Sequence, residues 1–482
     1  MTPLNIPWPL LGTEIGLIVF SLGLMIGDIF LADNQKRGKT LANTALMGVA
    51  CLTIFQASRW GIFGSAFGGS FIQDGVSFFF KIIFCLSAFF TIFMAREYQA
   101  KLKRGHGEFV LLILFSLIGM MFLASANDFL LFFVSLEILS ISLYIMTAYL
   151  KDEGRSIEAG VKYIVLGALS TAIFLYGFSF IYGVTGSTSY FEIHQKLIEM
   201  QQIPPAFVFG MILVISSLCF KIAAVPFHLW VPDIYEGAPA PVTSFLATGS
   251  KAAGFVAILR LMMTVFSPLS KELGILFAVL AALTIIYGNL GAIPQSNIKR
   301  LLGYSSIGHA GYLLIGLAAF ASSGKEAVLF YLLSYVFSTA GAFLVIVVIS
   351  QTAKTDDLRE FAGLGVRSPV LAAGMLISLL SLAGVPPLSG FLAKFYILWA
   401  GVKAGYLWLV VIGILNVVTS LYYYLKIIKA MYLEKPAGSL PLNVTAQQKA
   451  MQYFSLLGIV LLGIWPGPFV HWAQTAFTTL LR

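Results

Sequence analysis

The sequence predicts an all-α, polytopic membrane protein of about fourteen transmembrane helices, with two inverted five-helix repeats that each contain a broken helix. Hydrophobic residues make up 59% of the 482 positions and charged residues 11%, whereas soluble domains average about 25% charged residues. The mean hydropathy is +0.91. Apolar stretches of the roughly 20 residues that cross a bilayer recur along the whole chain. Two of these stretches are interrupted by proline, with a lysine close to the break.

The candidate spans divide the chain into four parts. They lie near residues 10–31, 39–58, 76–95, 108–126, 128–149, 160–184, 206–230, 242–265, 272–293, 300–320, 327–350, 369–402, 406–430 and 451–474. Residues 1–107 hold helices 1–3, 108–265 hold helices 4–8 as a first repeat, 266–434 hold helices 9–13 as a second, inverted repeat, and 435–482 hold helix 14.

The basic residues indicate the topology. With the N-terminus outside, eighteen of the thirty lysines and arginines fall on inner loops and six on outer loops. Cytoplasmic loops carry such an excess, so both termini are predicted outside. The net charge of +9 is therefore topological and does not indicate nucleic-acid binding. The sequence shows no cleavable signal or transit peptide, which favours a bacterial inner (plasma) membrane, with a thylakoid or other energy-transducing membrane as the alternative.

Metal and nucleotide chemistry lack a sequence signature. Cys51, Cys85 and Cys219 stand singly in apolar segments, without metal-ligand spacing. There is no P-loop, GxGxxG or HExxH. We therefore expect no cofactor and no metal on this chain.

Some charges within the spans have simple structural explanations. A charge at the centre of a membrane helix costs about 2.5–3.5 kcal/mol, so each needs a partner, water or a function. Lys81 and Arg260 lie near the outer ends of their spans and are predicted to reach the headgroups. Glu158 and Lys162 are four residues apart at an inner helix start, so a local ion pair accounts for them.

Glu137, Lys221 and Lys251 lie too deep for either explanation. A low-dielectric surrounding disfavours the charged form of a lysine, and a nearby carboxylate favours it again. A Glu137–Lys221 pair that acts on Lys251 would therefore be suited to relaying protons, and a structural buried pair is the alternative. His309, which shares a helical face with Ser305 and with Tyr312, is a further relay candidate.

The two interrupted spans resemble each other. Ala223-Ala224-Val225-Pro226 is repeated as Ala383-Gly384-Val385-Pro386, followed by the buried Lys394. Proline removes a helical hydrogen bond, and free carbonyls at membrane depth are tolerated only inside protein or beside a watery cavity. Paired broken helices of opposite orientation are typical of inverted-repeat transporters.

Two motifs carry a family resemblance. FKIAAVPFHLWVPDIYEGAPAPV (220–242) and NIKRLLGYSSIGHAGY (297–312) closely resemble the antiporter-like membrane subunits of proton-pumping NADH:quinone oxidoreductase, respiratory complex I, and the resemblance extends over nearly the whole chain. It implies that protons are translocated by Glu137, Lys221, Lys251, His309 and Lys394, with His228, Glu158 and Lys162 as further candidates. The end of the chain soon after its last span, together with Lys394, favours the subunit N group, which is similar to mitochondrial subunit 2.

The resemblance also implies the partners. NADH, FMN, iron–sulfur clusters and quinone are expected on other subunits, and other membrane subunits, including antiporter-like and small ones, are expected as neighbours within the lipid bilayer. Protons would pass from Lys221 to Lys251 and on to Lys394, with Glu137 modulating the first lysine and His309 bridging the central pair through water. The alternative is an Mrp-type cation/proton antiporter subunit.

Overall fold

The computed structural model describes residues 8–30, 37–102, 105–353, 355–436 and 442–479. In this part of the chain, twelve helices are long and apolar enough to cross a membrane, and a bent pair near the C-terminus makes a thirteenth. A broken pair of shorter helices, Pro369–Ala383 and Ser389–Lys403, occupies the remaining predicted span. The all-α, polytopic prediction is confirmed. Both chain ends, predicted outside, lie beyond the described residues.

The N-terminal part consists of three long helices and one hairpin. Its elements are α1 (Trp8–Phe30), α2 (Arg37–Ala57), β1 (Gly64–Ala66), β2 (Phe71–Gln73), α3 (Gly75–Glu97) and the short α4 (Gln99–Leu102). The two strands are antiparallel, with Gly64 opposite Gln73. Asp74 caps α3 by accepting a 2.8 Å hydrogen bond from the backbone N–H of Ser77, so the hairpin leads directly into a well-defined helix start.

The central part contains the first broken helix. Its helices are α5 (His106–Ser125), α6 (Phe129–Thr147), α7 (Gly154–Thr185), α8 (Tyr190–Glu199), α9 (Pro205–Ile222), α10 (Trp230–Gly237), α11 (Ala240–Phe245) and α12 (Lys251–Met263). A π-helical segment, Leu246–Ser250, joins α11 to α12. Such π-bulges occur frequently at functional sites, and this one ends immediately before Lys251.

The last part contains the second broken helix. Its helices are α13 (Ser270–Ala292), α14 (Ile298–Ala318), α15 (Lys325–Ser350), α16 (Leu364–Arg367), α17 (Pro369–Ala383), α18 (Ser389–Lys403), α19 (Leu407–Leu433), α20 (Ala446–Ile464) and α21 (Gly467–Thr478). The last two are bent by 82° relative to each other. Short 3₁₀ or π segments lie at Phe67–Gly69, Ser267–Leu269, Phe320–Gly324 and Leu358–Phe361.

The helices form an inner and an outer group. The membrane-spanning windows of α3, α12, α14 and α15 are buried along nearly their whole length. About a third of each window is buried in α1, α2, α7 and α19, which therefore form the periphery and present apolar side chains outward. A helix that is hydrophobic all round is suited to an interior position, and this inner group holds the buried Lys81, Lys251, Arg260 and His309.

The two helix breaks have the same hydrogen-bond pattern. After α9, Ala223 is left-handed (φ 63°), and the N–H of Ala224 donates to the Cys219 carbonyl at 2.9 Å. After α17, Gly384 is left-handed (φ 89°), and the N–H of Val385 donates to the Leu380 carbonyl at 3.0 Å. Both are Schellman-type ends, which use a left-handed residue to satisfy the last carbonyls.

The register of the breaks differs from the sequence echo by one residue. The echo aligns Ala223 with Ala383, whereas the hydrogen bonds align Ala223 with Gly384 and therefore Pro226 with Pro387. That part of the prediction is wrong. The helix end depends on which residue adopts a positive φ, and identical residue types in two segments do not show which residue that is. The opposite orientation of the repeats and the four domain boundaries stay predictions.

Candidate functional site

Lys221 lies in the last turn of α9, immediately before the first break. Its side chain is buried, and its Nζ atom donates to Ser140 Oγ on α6 at 2.6 Å. The ammonium group also lies 5.7 Å from the centre of the Tyr144 ring, within reach of a cation–π interaction. The hydroxyl of Ser140 donates to the Leu136 carbonyl, which leaves its oxygen free to accept from the lysine.

Glu137 lies on the same helix as Ser140 but does not contact Lys221. Its Oε1 atom accepts from the Thr171 hydroxyl on α7 at 2.9 Å, and no ion pair joins it to Lys221 among the described residues. It lies one helical turn before Ser140, the residue that Lys221 contacts. The half-buried carboxylate is therefore an electrostatic neighbour of Lys221 rather than its hydrogen-bond partner.

Lys251 opens α12 directly after the π segment. It is buried, and its Nζ atom donates to both the carbonyl and the hydroxyl oxygen of Ser306 on α14, at 2.5 and 2.6 Å. The small residues around it permit close helix packing: a Cβ on Gly254 would lie 3.4 Å from the Cβ of Lys221. The helices of the two lysines are therefore in contact one turn beyond Lys251.

His309 is held by tyrosines. It lies one turn after Ser306 on α14, its Nδ1 atom is 2.5 Å from the Tyr331 hydroxyl, and its Nε2 atom is 3.2 Å from that of Tyr424. Tyr424 also contacts the hydroxyl of Ser305. Lys251 contacts Ser306 one turn before the histidine, and Lys394 lies against Tyr312 one turn after it, so His309 stands between the two lysines along α14. Sequence reasoning found the histidine but missed the tyrosines, because they come from distant helices.

Lys394 lies on α18, beyond the second break. Its Nζ atom donates to the carbonyl of Ala383, the last residue of α17, at 2.9 Å. It also lies 5.0 Å from the centre of the Tyr312 ring on α14. Ser306, His309 and Tyr312 follow one another at successive turns of α14, so this helix connects the partner of Lys251 to the aromatic neighbour of Lys394.

His228 lies apart from this line, in the stretch between α9 and α10. Its ring is buried against Tyr287, with 4.2 Å between the ring centres. Neither ring nitrogen has a hydrogen-bond partner among the described residues. Buried polar atoms are normally satisfied, so this histidine has unused capacity for a proton or a water molecule.

Glu158 and Lys162 belong to a larger charged cluster near the start of α7. Lys162 Nζ lies 2.8 Å from Glu158 and 2.7 Å from Asp233 on α10. Arg300 of α14 contacts Asp233 at 2.7 Å and Glu236 at 3.1 Å. The local pair is confirmed as a contact, and the cluster joins α7, α10 and α14 beside the first break.

Lys81 and Arg260 do not reach the headgroups, so that expectation is wrong. Lys81 is fully buried and forms an ion pair with the buried Glu14 of α1. Arg260 donates to both carboxylate oxygens of Asp74, at 2.5 and 2.7 Å, and to the Ala124 carbonyl at 2.9 Å. Each cation pairs inside the protein because a carboxylate from another helix lies at the same depth. A signal for Glu14 was present in the sequence, since it lies about as far into its span as Lys81 does.

The buried groups can hold and exchange protons at the depth of the helix breaks. Lys221, Lys251 and Lys394 lie on three helices and have neutral oxygen partners instead of carboxylates. Neutral partners favour a cation only moderately, so each lysine can lose its proton without leaving an unpaired anion. No group of three or more potential metal ligands occurs in the described part of the chain.

Comparison with known proteins decides the family. Residues 126–420 match the family model described as "NADH:quinone oxidoreductase/Mrp antiporter, TM". The chain belongs to this family. The match covers the helices that carry all the candidate residues from Glu137 to Lys394, and it confirms the resemblance inferred from the two motifs.

Similar proteins of this family extend over the whole chain. It is 39% identical over 472 residues to the NADH-quinone oxidoreductase subunit N of Desulforamulus reducens, with 98% of both chains covered. It is 41% identical to that of Moorella thermoacetica, again with 98% of both covered. The NAD(P)H-quinone oxidoreductase subunit 2 of a Picosynechococcus species is 45% identical over 77% of this chain and 71% of its own.

Solved structures show the same fold. A chain of respiratory complex I from Thermus thermophilus, determined with bound aureothin, has a TM-score of 0.81 at 34% identity and covers 95% of this chain and 98% of its own. A chain of the Mrp complex from a Dietzia species has a TM-score of 0.83 at 20% identity, covering 97% and 96%. The second likeness concerns the fold alone.

Proposed function

We propose that the chain is the subunit N-type, proton-translocating membrane subunit of an NADH:quinone oxidoreductase. The observation that carries the proposal is the series of buried lysines, Lys221, Lys251 and Lys394, of which the last two contact the same helix, α14. Relatives about 40% identical over nearly their full length are NADH-quinone oxidoreductase subunit N. The chain itself is a non-redox part of this translocase.

Protons enter the series near the first helix break and move along the lysines. The Glu137 carboxylate acts on the charged form of Lys221 electrostatically, without contacting it. Lys221 passes the change to Lys251 across the contact of α9 and α12. Lys251 and Lys394 then exchange protons past His309, whose imidazole is under the electrostatic influence of both lysines. The hydroxyls of Tyr331 and Tyr424 around His309 take part in this transfer, which therefore does not depend on water alone.

His228 and the Glu158–Lys162 cluster serve the inner entrance. The unpartnered nitrogens of His228 can take up a proton beside the first break. Lys162 connects to α10 through Asp233, so the cluster positions the segment that follows Lys221. This assigns an entry role to residues that lie off the central series.

Redox chemistry belongs to other subunits of the complex. NADH, FMN, iron–sulfur clusters and quinone would be bound there, and the energy would reach this chain through contacts between membrane subunits. The outward-facing apolar helices provide surfaces for such neighbours, including antiporter-like and small membrane subunits, and for the bilayer. The relatives that match 98% of this chain are NADH-quinone oxidoreductase subunit N, whereas the cyanobacterial NAD(P)H-quinone oxidoreductase subunit 2 matches 77% of it, so NADH is the donor we assign by analogy.

The topology follows from the loop charges. The inner side is the cytoplasmic side of a bacterial plasma membrane, and both termini lie outside. The two repeats, 108–265 and 266–434, each contain one break of the same hydrogen-bond pattern, which supports the inverted-repeat hypothesis. Residues 1–107 and 435–482 flank the repeats.

An Mrp-type cation/proton antiporter subunit is the second candidate. The family model includes Mrp antiporters, and the fold is shared with an Mrp chain. The two functions differ in whether a metal cation is exchanged for protons. Sodium- or potassium-dependent pH changes in vesicles that contain this chain without redox partners would support the antiporter.

The decisive experiment replaces Lys251 with alanine in the native membrane. We expect NADH-driven proton uptake per NADH oxidised to fall while the complex stays assembled. Without the Lys251 ammonium, Ser306 has no cation to bind, and the series lacks the group that carries the proton between Lys221 and Lys394. Lys251→Arg, which keeps a charge that does not release its proton, is the matched control and should also lower the ratio. An unchanged ratio in the assembled Lys251→Ala complex would contradict the proposal.

A further inference from the structure

A second buried acid–base pair lies outside the series of lysines. Lys81 of α3 and Glu14 of α1 form an ion pair, and both side chains are essentially inaccessible. Lys81 also donates to the side-chain oxygen of Gln73 and lies 5.1 Å from the centre of the Phe71 ring. Nothing in the proposed transfer from Lys221 to Lys394 uses these groups.

The Glu14 carboxylate differs from the other buried carboxylate of this region. Asp74 receives two hydrogen bonds from Arg260 and one from the Ser77 backbone, so both its oxygens are satisfied. Within the part of the chain that the structure describes, Glu14 Oε2 has no hydrogen-bond partner. An acid held by several donors remains an anion, whereas a carboxylate with an open oxygen can accept a proton without breaking a hydrogen bond.

The surroundings connect the pair to one surface of the protein. Gln73, the acceptor of Lys81, belongs to β2 and lies opposite Gly64, next to the exposed Ser65. Thr13, adjacent to Glu14, donates to Gln56 at 2.5 Å, and no described residue pairs with the buried Nε2 atom of Gln56. The polar groups therefore continue from the pair to the hairpin that precedes α3.

We propose that Glu14 and Lys81 form a second proton-holding pair, located between α1, α3 and the hairpin on the proton-release side of the membrane. The proposal rests on the proposed function and extends it to the N-terminal helices. The hairpin lies where α3 begins, on the side opposite most of the basic loops. The charges near the pair, Asp74 and Arg260, neutralise each other, so the pair is free to change its own protonation.

The transfer step leaves the total charge unchanged. The Lys81 ammonium gives one proton to the Glu14 carboxylate, which produces an amine and a carboxylic acid. The acid then releases that proton towards the hairpin, and the amine takes the next proton from the interior. A buried ion pair is costly to desolvate and is often replaceable by apolar groups without loss of stability, so stability alone does not require this pair.

The test compares variants of the complete complex in the native membrane. Glu14→Gln combined with Lys81→Met removes both charges and leaves no unpaired ion. We expect this double variant to assemble and to lower protons translocated per NADH oxidised by as much as Lys251→Ala does. The matched control, Lys299→Met with Asp356→Asn, removes another ion pair with a buried lysine, 2.9 Å apart, and should leave the ratio unchanged.

The outcomes separate this inference from the proposed function. If Lys251→Ala lowers the ratio and the assembled double variant has the ratio of the unaltered complex, the pair is structural and the inference fails alone. If the double variant does not assemble, Glu14→Gln decides, because glutamine keeps an acceptor for Lys81 but takes up no proton. An unaltered ratio in that variant overturns the inference, and a lowered ratio that Glu14→Asp restores supports it.

Discussion

Lys394 donates a 2.9 Å hydrogen bond to the carbonyl oxygen of Ala383, across the break between α17 and α18. In an uninterrupted helix this carbonyl would accept from the N–H of the residue four positions later, which is Pro387 and has none. The lysine therefore satisfies the acceptor that the proline leaves free. The helix break and the buried Lys394 are therefore coupled structurally, because the charge satisfies the carbonyl that the break exposes.

This contact predicts a double effect of Lys394→Met. The Ala383 carbonyl would lose its partner, which costs about 1–3 kcal/mol for a buried polar group, and the last proton carrier of the series would be lost. We expect a lower melting temperature of the purified complex and a lower proton-to-NADH ratio. Lys394→Arg should keep the hydrogen bond and the melting temperature but not the ratio. Equal melting temperatures for all three proteins would contradict the structural half of the prediction.

Ser306→Ala tests how Lys251 is held. The variant removes the hydroxyl acceptor at 2.6 Å but keeps the carbonyl acceptor of the same residue. We therefore expect a smaller fall in proton uptake than in Lys251→Ala. Ser142→Ala, which removes a buried hydroxyl that donates to the Ile138 carbonyl of its own helix at 2.9 Å, is the control for loss of a buried serine hydroxyl. A Ser306→Ala complex as impaired as Lys251→Ala would show that the carbonyl contact is insufficient.

Arg260→Ala should act on stability before it acts on pumping. The variant leaves Asp74 buried without its cation and frees the Ala124 carbonyl. Breaking a buried ion pair from one side costs about 3–5 kcal/mol. We expect little assembled complex in membranes, measured by quantitative immunoblotting. Arg260→Ala combined with Asp74→Asn should recover part of it, and no recovery would assign the loss to the contact with Ala124 instead.

The ion pairs of Asp233 should stabilise the complex to the same extent over the neutral pH range. Burial raises the pKa of Asp233, but hydrogen bonds from Lys162 and Arg300 outweigh it and hold that pKa below the ordinary 3.8. An acid with a lowered pKa contributes its full stabilisation above the unfolded value, and loses it as the pH falls through the folded value. The stability difference between the unaltered complex and Asp233→Asn should thus be constant from about pH 5 to pH 8 and shrink below about pH 4. A difference that changes near pH 6 would contradict this assignment.

The sequence predicted the charged residues better than their partners. Hydropathy and proline placement predicted the spans and both breaks, because those depend on local composition. The partners of Lys221 and Lys251, Ser140 and Ser306, come from other helices, and serine is too common in apolar segments to be singled out. The position of a charge within its span was also misleading, since Arg260 near a helix end pairs inward with Asp74.

The break register shows the same limit at finer scale. Matching residue types aligned Ala223 with Ala383, yet the left-handed residue after α17 is Gly384. Backbone hydrogen bonds and the φ of one residue decide where a helix ends, and a four-residue echo contains neither. The family resemblance supplied roles for residues but no contacts between them.

The relation of Glu137 to Lys221 gives the last prediction. Lys221 is hydrogen-bonded to Ser140, and Glu137 is hydrogen-bonded to Thr171, so the carboxylate influences the lysine only through its charge. Ser140→Ala would remove the hydroxyl acceptor and make Lys221 more dependent on Glu137. The effects of Ser140→Ala and Glu137→Gln on proton uptake should therefore be non-additive, with a coupling of about 0.5–3 kcal/mol in a double-mutant cycle.

The control for this cycle is on the same helix. Ser142 is buried, and its hydroxyl donates to the Ile138 carbonyl at 2.9 Å, so Ser142→Ala changes α6 without a contact to Lys221. We expect Ser142→Ala and Glu137→Gln to be additive. If the Ser140 cycle is additive as well, Glu137 and Ser140 act on separate steps, and the electrostatic route from Glu137 to Lys221 is wrong.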